Sequence, residues 1–238
     1  MGIDATSLES ILCSLKYVKP GGQALTLARQ GIHLDKQKVD YYIRKYSKSV
    51  SANVVTPFCE TLFADLGFSS TESIDCSSYE SATIIHDLNQ PVPSDLKQKY
   101  DYIYDGGTIE HIFNIAQVVD NISDMLKVGG IFCSVTVNNN LSGHGIYQFS
   151  PEFFLSAFSE KYGMKVRELY LAEVNSERDR WIDVNSYHEN NGGRNMAKFN
   201  STNQVYIITI AEKISDDRLS VVTSAPQQYM YEQIDWKR

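Results

Sequence analysis

The stretch from Asp105 to His111 combines several side chains that could take part in acid–base chemistry. Histidine titrates near neutral pH, so His111 could act as a general base, and Glu110 beside it could serve the same purpose. Gly106 and Gly107 allow the backbone to turn sharply or to approach a ligand closely. Because Glu110 and His111 are neighbours at a predicted helix start, we expect their side chains to point in different directions, with at most one facing a crevice.

A second histidine, His144, lies between two glycines in a loop that is rich in polar and aromatic residues. It is the better exposed candidate to take a proton from an attacking hydroxyl or amine. Tyr147 and Phe149 follow in the same loop and could wall a substrate pocket, although a core position for Phe149 is equally consistent with the sequence. The five histidines show no metal-ligand spacing, and we expect no metal site.

The elements that carry these residues resemble the working edge of an open α/β sheet. Tyr100 to Tyr104 is an aromatic and β-branched run that predicts a short strand ending at Asp105. Thr108 is placed to cap the following helix. Ligands of such sheets lie outside the carboxyl ends of the strands, so this edge is predicted to bind one.

The first core strand is predicted over residues 23–28, followed by a loop from Arg29 to Gly31 that would face the ligand. This loop has one glycine and no G-x-G-x-x-G pattern, which argues against a standard dinucleotide or P-loop site. Helical patterns over 35–51 and 56–66 come next. We interpret residues 33–68 as a helical elaboration that could cover the crevice.

The whole pattern predicts one α/β domain over residues 1–238, with a polar tail from about residue 214. Seven strands alternate with helices, which favours a doubly wound, mostly parallel Rossmann-like sheet with an antiparallel pair at the end. The other strands are predicted at 72–75, 82–86, 100–104, 131–137, 164–174 and 204–211, and the other helices at 7–17, 112–126 and 150–162. The tail could pack on the domain or on a second subunit, so a homo-oligomer is left open.

Composition narrows the range of partners. The formal net charge is −7, which argues against nucleic acid as the main substrate. No run of 18 apolar residues is present, so we expect no membrane partner, and the N-terminal residues lack a secretion pattern. Four scattered cysteines are typical of free thiols in a reducing compartment, and we expect a cytoplasmic protein.

From about residue 20 to 211, the order of strand-end residues resembles the class I S-adenosylmethionine-dependent methyltransferases. Ser73–Asp75 is similar to the second strand of that family, His86–Leu88 to the end of its third strand, and Met125–Ile131 to its helix-to-fifth-strand signature. The segments 106–112 and 143–152 resemble small bacterial members that act on small molecules or surface sugars.

The resemblance implies S-adenosylmethionine as cofactor and assigns residues to its parts. Asp75, followed by Cys76 and Ser77, would hold the ribose diol, since one carboxylate can accept two hydrogen bonds. Asp87 would accept a hydrogen bond from the adenine amine, and the Leu88 amide would donate one to an adenine ring nitrogen. Asp105 and Gly106 would lie near the sulfonium, and the methionine end would meet a loop that departs from the family's acidic, glycine-rich pattern, at residues Arg29, Gln30 and Gly31.

The predicted activity is transfer of a methyl group to an oxygen or nitrogen of a small polar acceptor, such as a surface-sugar or secondary-metabolite precursor. His144 is the first candidate for the catalytic base, ahead of His111 and Glu110. A non-catalytic or regulatory protein with the same fold is one alternative, because the glycine loop is missing. A sugar-nucleotide oxidoreductase is another, and the sequence does not identify the acceptor.

Overall fold

The computed structural model of the chain describes residues 2–46, 57–184 and 200–226. The strands are β1 (Gly2–Ile3), β2 (Gln23–Leu27), β3 (Gly31–Ile32), β4 (Ser70–Asp75), β5 (Ile84–Ile85), β6 (Tyr100–Asp105), β7 (Leu126–Asn139), β8 (Met164–Glu173), β9 (Ile182–Asp183) and β10 (Val205–Lys213). The α-helices are α1 (Ala5–Ser14), α2 (Lys36–Lys45), α3 (Glu60–Asp65), α4 (Ile115–Met125) and α5 (Pro151–Ala157). Within these ranges no helix is long and apolar enough to cross a membrane.

The central sheet has the order β5-β4-β2-β6-β7-β10-β8-β9. Neighbouring strands from β5 to β7 are parallel, whereas β10 runs antiparallel to both β7 and β8. This confirms the doubly wound α/β sheet and its antiparallel end. The two-residue β9 adds an edge strand to the seven predicted, and β1 pairs with β3 in a small separate sheet. Pairings of two residues leave no periodic pattern in the sequence, so they were not predicted.

Apolar side chains cover both faces of the sheet. Along β6, Ile103 packs into one core cluster while Tyr102 and Tyr104 pack into the other. Such alternation follows from the two-residue period of a strand. Phe132 and Cys133 divide between the clusters in the same way along β7. Burial of each large apolar side chain contributes about 1.5–3 kcal/mol, so the core holds the strand ends in place without disulfides.

The two helices of the segment 33–68 are shorter than the sequence pattern suggested. α2 begins after Asp35, whose side chain accepts a hydrogen bond from the Lys38 amide at 2.8 Å. α3 begins at Glu60 rather than at residue 56, and residues 47–56 lie outside the described ranges. α2 packs on α1 and α3 packs on β4. The prediction that this segment covers the crevice stays a prediction.

The described part of the tail, residues 214–226, packs against α4 of the same domain. Arg218 forms ion pairs with Asp120 and Asp124. The Asp120 carboxylate also accepts hydrogen bonds from the backbone amides of Val221 and Val222, at 3.0 and 3.1 Å. The late aromatic residues of the tail, after residue 226, lie outside the described ranges.

Candidate active site

The carboxylate at the end of β6 organises the turn that follows it. Asp105 is fully buried, and its Oδ1 accepts hydrogen bonds from the amides of Thr108 (2.8 Å) and Ile109 (3.4 Å). Its Oδ2 accepts a hydrogen bond from Ser134 Oγ at 2.7 Å. Asp105 therefore caps the turn. Thr108 occupies the predicted N-cap position, but its side chain does not cap the turn, because its hydroxyl donates to the Leu27 carbonyl at 2.8 Å.

The turn leads into a single 3-10 turn, Ile109–His111, rather than into an α-helix. Ile112 is already extended, with φ −102° and ψ 120°, and α4 begins three residues later, after Asn114. A 3-10 helix has about three residues per turn, so successive side chains lie about 120° apart. This geometry turns Glu110 into the protein and leaves His111 at the surface.

The Glu110 side chain is fully buried and only one of its two oxygens is hydrogen-bonded within the described residues. Oε2 accepts a hydrogen bond from Thr136 Oγ1 at 2.7 Å. Oε1 lies 3.8 Å from His144 Nε2, which is too long for a hydrogen bond. A buried carboxyl oxygen without a hydrogen-bond partner is unusual in native structures, so Oε1 has capacity for one further interaction.

The loop that carries His144 is fastened to Glu110 through the backbone. The amides of Ile146 and Tyr147 donate to the Glu110 carbonyl at 2.8 and 3.1 Å. A Cβ at Gly145 would lie 2.9 Å from both the Cγ and the carbonyl oxygen of Glu110, closer than real Cβ contacts allow. Gly145 therefore permits the close approach that sets His144 beside Glu110.

His111 and His144 converge on Glu110. The two imidazole rings meet edge to face, with centroids 5.3 Å apart. One donor atom from each of the three side chains lies within 4.8 Å of the others, and we call this group the Glu–His–His cluster. Glu110 and His111 still point in different directions, as expected of neighbours, because Glu110 is buried and His111 is exposed. The sequence did not show that their donor atoms lie within 4.8 Å of each other and of His144.

Burial shifts the pKa values of Asp105 and of two members of the Glu–His–His cluster. Desolvation raises the pKa of Asp105, against the opposing effect of the hydrogen bonds from Ser134, Thr108 and Ile109. Desolvation also raises the pKa of Glu110, and the neighbouring Asp105 carboxylate raises it further. Partial burial lowers the pKa of His111, so its imidazole favours the neutral form. The two carboxyls therefore resist carrying negative charge together.

A cavity of about 130 Å³ opens beside Glu110, Gly106 and Gly107. Its other walls are Gly2, Asp4, Ser7, His33, Val135 and Tyr206. The polar residues of this wall come from the N-terminal segment, the end of β3 and β10, and no sequence pattern predicted them. Asp4 does carry a local signal, since its side chain caps α1 through the Ser7 amide at 2.8 Å, but that signal indicates a helix start and not a site.

The residues predicted to hold ribose and adenine lie at the ends of neighbouring strands. Asp75 ends β4, is half-buried and accepts a hydrogen bond from the Ser77 amide at 2.9 Å. Asp87 follows β5, is exposed and accepts two hydrogen bonds from Asn89, which lower its pKa. Cys76 is exposed, as is Ser77, whereas the Leu88 side chain is buried.

The first-strand loop is closely packed. The guanidinium of Arg29 lies over the Phe58 ring, 4.0 Å from its centroid, and Nε donates to Glu60 at 2.7 Å. Gln30 is buried, and its Nε2 donates to the Leu27 carbonyl at 2.6 Å. Gly31 lies in β3, paired with Gly2, rather than in the predicted ligand-facing loop. The loop residues are therefore held mainly by protein contacts.

Two backbone features allow this packing. Ala28, directly after β2, has φ +54°, a left-handed conformation that costs a non-glycine residue roughly 1–2 kcal/mol. A Cβ at Gly106 would lie 2.5 Å from Gln30 Oε1, so only glycine fits against that amide. Gln30 thus occupies space beside the β6 turn.

The two aromatic residues of the His144 loop differ in position. Tyr147 is half-buried, and its hydroxyl donates to the Phe113 carbonyl at 2.7 Å. Phe149 is buried in the core and packs against Phe153 and Phe154. Phe149 therefore has the core role that the sequence had left open, and the predicted substrate contact is not supported.

Comparison with known proteins supports the fold. No family model matches the sequence, and no curated protein matches it either. Among solved structures the chain is similar to a candidate methyltransferase from Bacillus halodurans, with 12% identity, TM-score 0.53 and coverage of 90% of this chain and 100% of that chain. A geranyl diphosphate methyltransferase in complex with S-adenosylmethionine matches at 12% identity and TM-score 0.50, covering 88% of this chain and 85% of its own.

A third similar structure, a candidate S-adenosylmethionine-dependent methyltransferase from Listeria monocytogenes, matches at 9% identity and TM-score 0.50, with coverage of 89% and 99%. The agreement covers nearly the whole length of each chain. The chain has the fold of the class I S-adenosylmethionine-dependent methyltransferases, as its strand-end residues predicted.

Proposed function

We propose that the protein is a methyltransferase that moves a methyl group from S-adenosylmethionine to an oxygen or nitrogen atom of a small polar acceptor. The observation that carries this proposal is the placement of three strand-end carboxylates, of which Asp75 and Asp87 are accessible to a ligand and the buried Asp105 shapes the turn after β6. Asp75, Asp87 and Asp105 lie at the carboxyl ends of, or directly after, β4, β5 and β6, on both sides of β2. The strand order reverses at β2, and ligands of open α/β sheets bind at such a switch point.

The donors and acceptors fit the cofactor at its nucleoside end. Asp75 is half-buried and offers a carboxylate to a ribose diol. Asp87 supplies an acceptor for the adenine amine, and the Leu88 amide supplies a donor for a ring nitrogen. Cys76 and Ser77 are exposed beside Asp75 and would border the ribose.

Less space is open for the methionine end of S-adenosylmethionine than for its nucleoside end. Gly106 and Gly107 leave room beside β6, but Gln30 fills part of the space that a glycine-rich loop would leave open. Arg29 would have to contribute to the methionine carboxylate while it remains bound to Glu60. When bound, S-adenosylmethionine supplies an activated methyl group, so the protein has mainly to align the reactants and exclude water.

The acceptor would enter from the side of the Glu–His–His cluster and the cavity beside it. The cavity is small and its wall includes Asp4, Ser7 and His33, which favours a small polar group. His144 is about one-third exposed and lies 3.8 Å from Glu110, which lines the cavity, so it could take up the proton that the acceptor loses. Tyr147, which follows in the same loop, would border the acceptor. A surface-sugar or secondary-metabolite precursor would meet these requirements.

A non-catalytic binding protein is the second candidate, and one observation favours it. Ala28 and Gln30 stand where a flexible, glycine-rich loop is expected, and Gln30 is almost fully buried. If this loop cannot admit the methionine end, the crevice would bind a smaller nucleoside without methyl transfer.

Isothermal titration calorimetry with S-adenosylmethionine, S-adenosylhomocysteine and NAD distinguishes these candidate functions. A methyltransferase should bind both sulfur compounds with micromolar affinity and should not bind NAD. Binding of adenosine alone would favour the non-catalytic candidate, and binding of NAD alone would favour a sugar-nucleotide oxidoreductase. Absence of binding by either sulfur compound at millimolar concentration, about −4 kcal/mol, would reject the proposal.

A further inference from the structure

The Glu–His–His cluster has a donor set that the proposed function does not require. Methyl transfer to an acceptor needs at most one base, yet three potential ligand atoms meet here, from Glu110, His111 and His144. They come from two separate segments, the 3-10 turn after β6 and the loop after β7. Two imidazoles and one carboxylate are a common ligand set of catalytic metal sites, which keep a further coordination position open.

The buried oxygen of Glu110 is the second observation. Oε1 is shielded from solvent, has no hydrogen-bond partner within the described residues and lies 3.8 Å from His144 Nε2. The other oxygen is fixed by Thr136 Oγ1 at 2.7 Å. Hydrogen bonds of this kind orient the carboxylates that ligate metals. Oε1 is therefore a fixed, buried oxygen that lies near a histidine nitrogen without a hydrogen bond to it.

The distances allow an ion between the donors. Ligand atoms around a tetrahedral zinc ion, with bonds of about 2.0–2.1 Å, lie about 3.3 Å apart. The donors here lie within 4.8 Å of one another, so each has to move inward by less than a bond length. His111 and His144 are both exposed, and His144 is flanked by Gly143 and Gly145, so side-chain rotation and a small loop adjustment would suffice.

We propose that Glu110, His111 and His144 bind one first-row divalent transition-metal cation, such as Zn²⁺, with an open coordination position toward the acceptor side of the crevice. The two imidazole nitrogens favour this class over Mg²⁺ and Ca²⁺, which prefer oxygen ligands. The expectation of no metal site, made from histidine spacing alone, is replaced by this proposal.

A bound cation would change how the acceptor is activated, and this consequence rests on the proposed function whereas cation binding does not. The three side chains would hold the ion instead of taking the proton directly. An acceptor hydroxyl in the open position would have a lowered pKa and would lose its proton to water at the exposed mouth. The favoured acceptors would then carry an oxygen that can bind a metal.

Cation binding can be measured without the cofactor. Metal-free protein, prepared by dialysis against EDTA, would be titrated with Zn²⁺, Co²⁺ and Mg²⁺ in a calorimeter, and Co²⁺ binding would also be followed by its visible absorption. We expect one equivalent of Zn²⁺ or Co²⁺ per chain and no comparable binding of Mg²⁺. Glu110→Gln, His111→Ala and His144→Ala should each weaken binding roughly tenfold or more.

Control variants distinguish this site from adventitious binding. His86→Ala removes a histidine outside the cluster, and Cys76→Ser removes the exposed thiol, so neither should change the affinity. His144 lies in an exposed loop and Glu110→Gln keeps the side-chain shape, so circular dichroism should report an intact fold. Stoichiometric binding that survives all three cluster variants, or no binding at micromolar concentration, would overturn the proposal.

The cofactor titration is repeated in EDTA, so that failure of the metal-site proposal can be distinguished from failure of the methyltransferase proposal. S-adenosylmethionine should bind the metal-free protein, because its predicted contacts lie on the β4, β5 and β6 ends. Loss of cation binding with intact cofactor binding would reject the metal site alone. Cation binding without cofactor binding would reject the methyltransferase and leave the metal site standing.

Discussion

In the proposed active site, Asp75 would belong to a cofactor half of the crevice, and Glu110, His111 and His144 would belong to an acceptor half. The two halves would meet at the Asp105 turn, where both carboxylate oxygens already accept hydrogen bonds, from Thr108, Ile109 and Ser134. Asp105 is therefore better suited to hold the turn than to bind a ligand directly. Substitutions in the two halves should have separable effects.

Asp75→Ala should weaken the binding of S-adenosylmethionine by about tenfold or more, which corresponds to about 1.4 kcal/mol, because the ribose diol would lose a charged acceptor. Calorimetry measures this directly. Asp217→Ala is the matched control, since Asp217 is exposed and follows β10, which ends at the opposite edge of the sheet. Equal affinities of the wild-type and Asp75→Ala proteins would contradict the assignment of the ribose site.

His144→Ala should reduce turnover by roughly 100-fold or more while the affinity for S-adenosylmethionine stays near the wild-type value. The residue lies 3.8 Å from Glu110, on the proposed acceptor side, and is not among the predicted cofactor contacts. The rate of methyl transfer would be measured on an acceptor found by screening small hydroxyl and amine compounds. A fall in cofactor affinity with unchanged turnover would instead place His144 among the cofactor contacts.

At the scale of elements, the loop after β7 and the turn after β6 form one unit. The Ile146 and Tyr147 amides bind the Glu110 carbonyl, and this contact requires the absence of a side chain at Gly145. The unit explains why residues far apart in sequence can act at one point. It also gives the loop a role that can be tested without touching a polar side chain.

Gly145→Ala should displace His144, because its Cβ would lie 2.9 Å from Glu110 atoms. We expect at least a tenfold loss of Zn²⁺ affinity, similar to removal of a ligand, with cofactor binding unchanged. Ser142→Ala, in an exposed position of the same loop, should have no effect. If Gly145→Ala bound Zn²⁺ as the wild type does, the loop would not set the position of His144.

The loop after β2 is strained at Ala28, which has φ +54°. Ala28→Gly should raise the free energy of unfolding by about 0.5–1 kcal/mol, because glycine adopts this conformation without steric cost. Ala24→Gly, within β2, should lower it instead, since it removes buried apolar surface and adds chain entropy. Chemical denaturation measures both, and a destabilised Ala28→Gly variant would show that no strain is stored there.

At the scale of the whole molecule, the buried carboxyls couple stability to pH. Burial raises the pKa of Glu110 from 4.5 to about 8, so its proton is lost more easily from the unfolded chain than from the folded one. The free energy of unfolding should therefore fall as pH rises between these values. Glu110→Gln cannot ionise and should lose this contribution.

Denaturation in guanidinium chloride at pH 5 and pH 8, with EDTA present, tests this coupling. The wild type should be less stable at pH 8 than at pH 5, and Glu110→Gln should show a clearly smaller difference, with its gain over wild type confined to pH 8. The same pH dependence in both proteins would mean that Glu110 ionises normally in the folded state.

The sequence predicted the sheet because its strands and helices have regular apolar periods and its strand ends carry carboxylates in a recognisable order. It did not predict the Glu–His–His cluster, because the convergence of Glu110 and His111 depends on Asp105 capping a 3-10 turn. Nor did it predict that Phe149 lies in the core or that Asp4 and His33 line the cavity. Those positions follow from long-range packing, which leaves no local pattern.

The most direct test of the central claim is a crystal structure of the protein with S-adenosylhomocysteine. We expect the ribose hydroxyls to contact Asp75, adenine to contact Asp87 and the Leu88 amide, and the sulfur to lie beside Gly106, facing the Glu–His–His cluster. Binding of the ligand elsewhere, or with its sulfur directed away from that cluster, would contradict the assignment of this crevice as a methyltransferase active site.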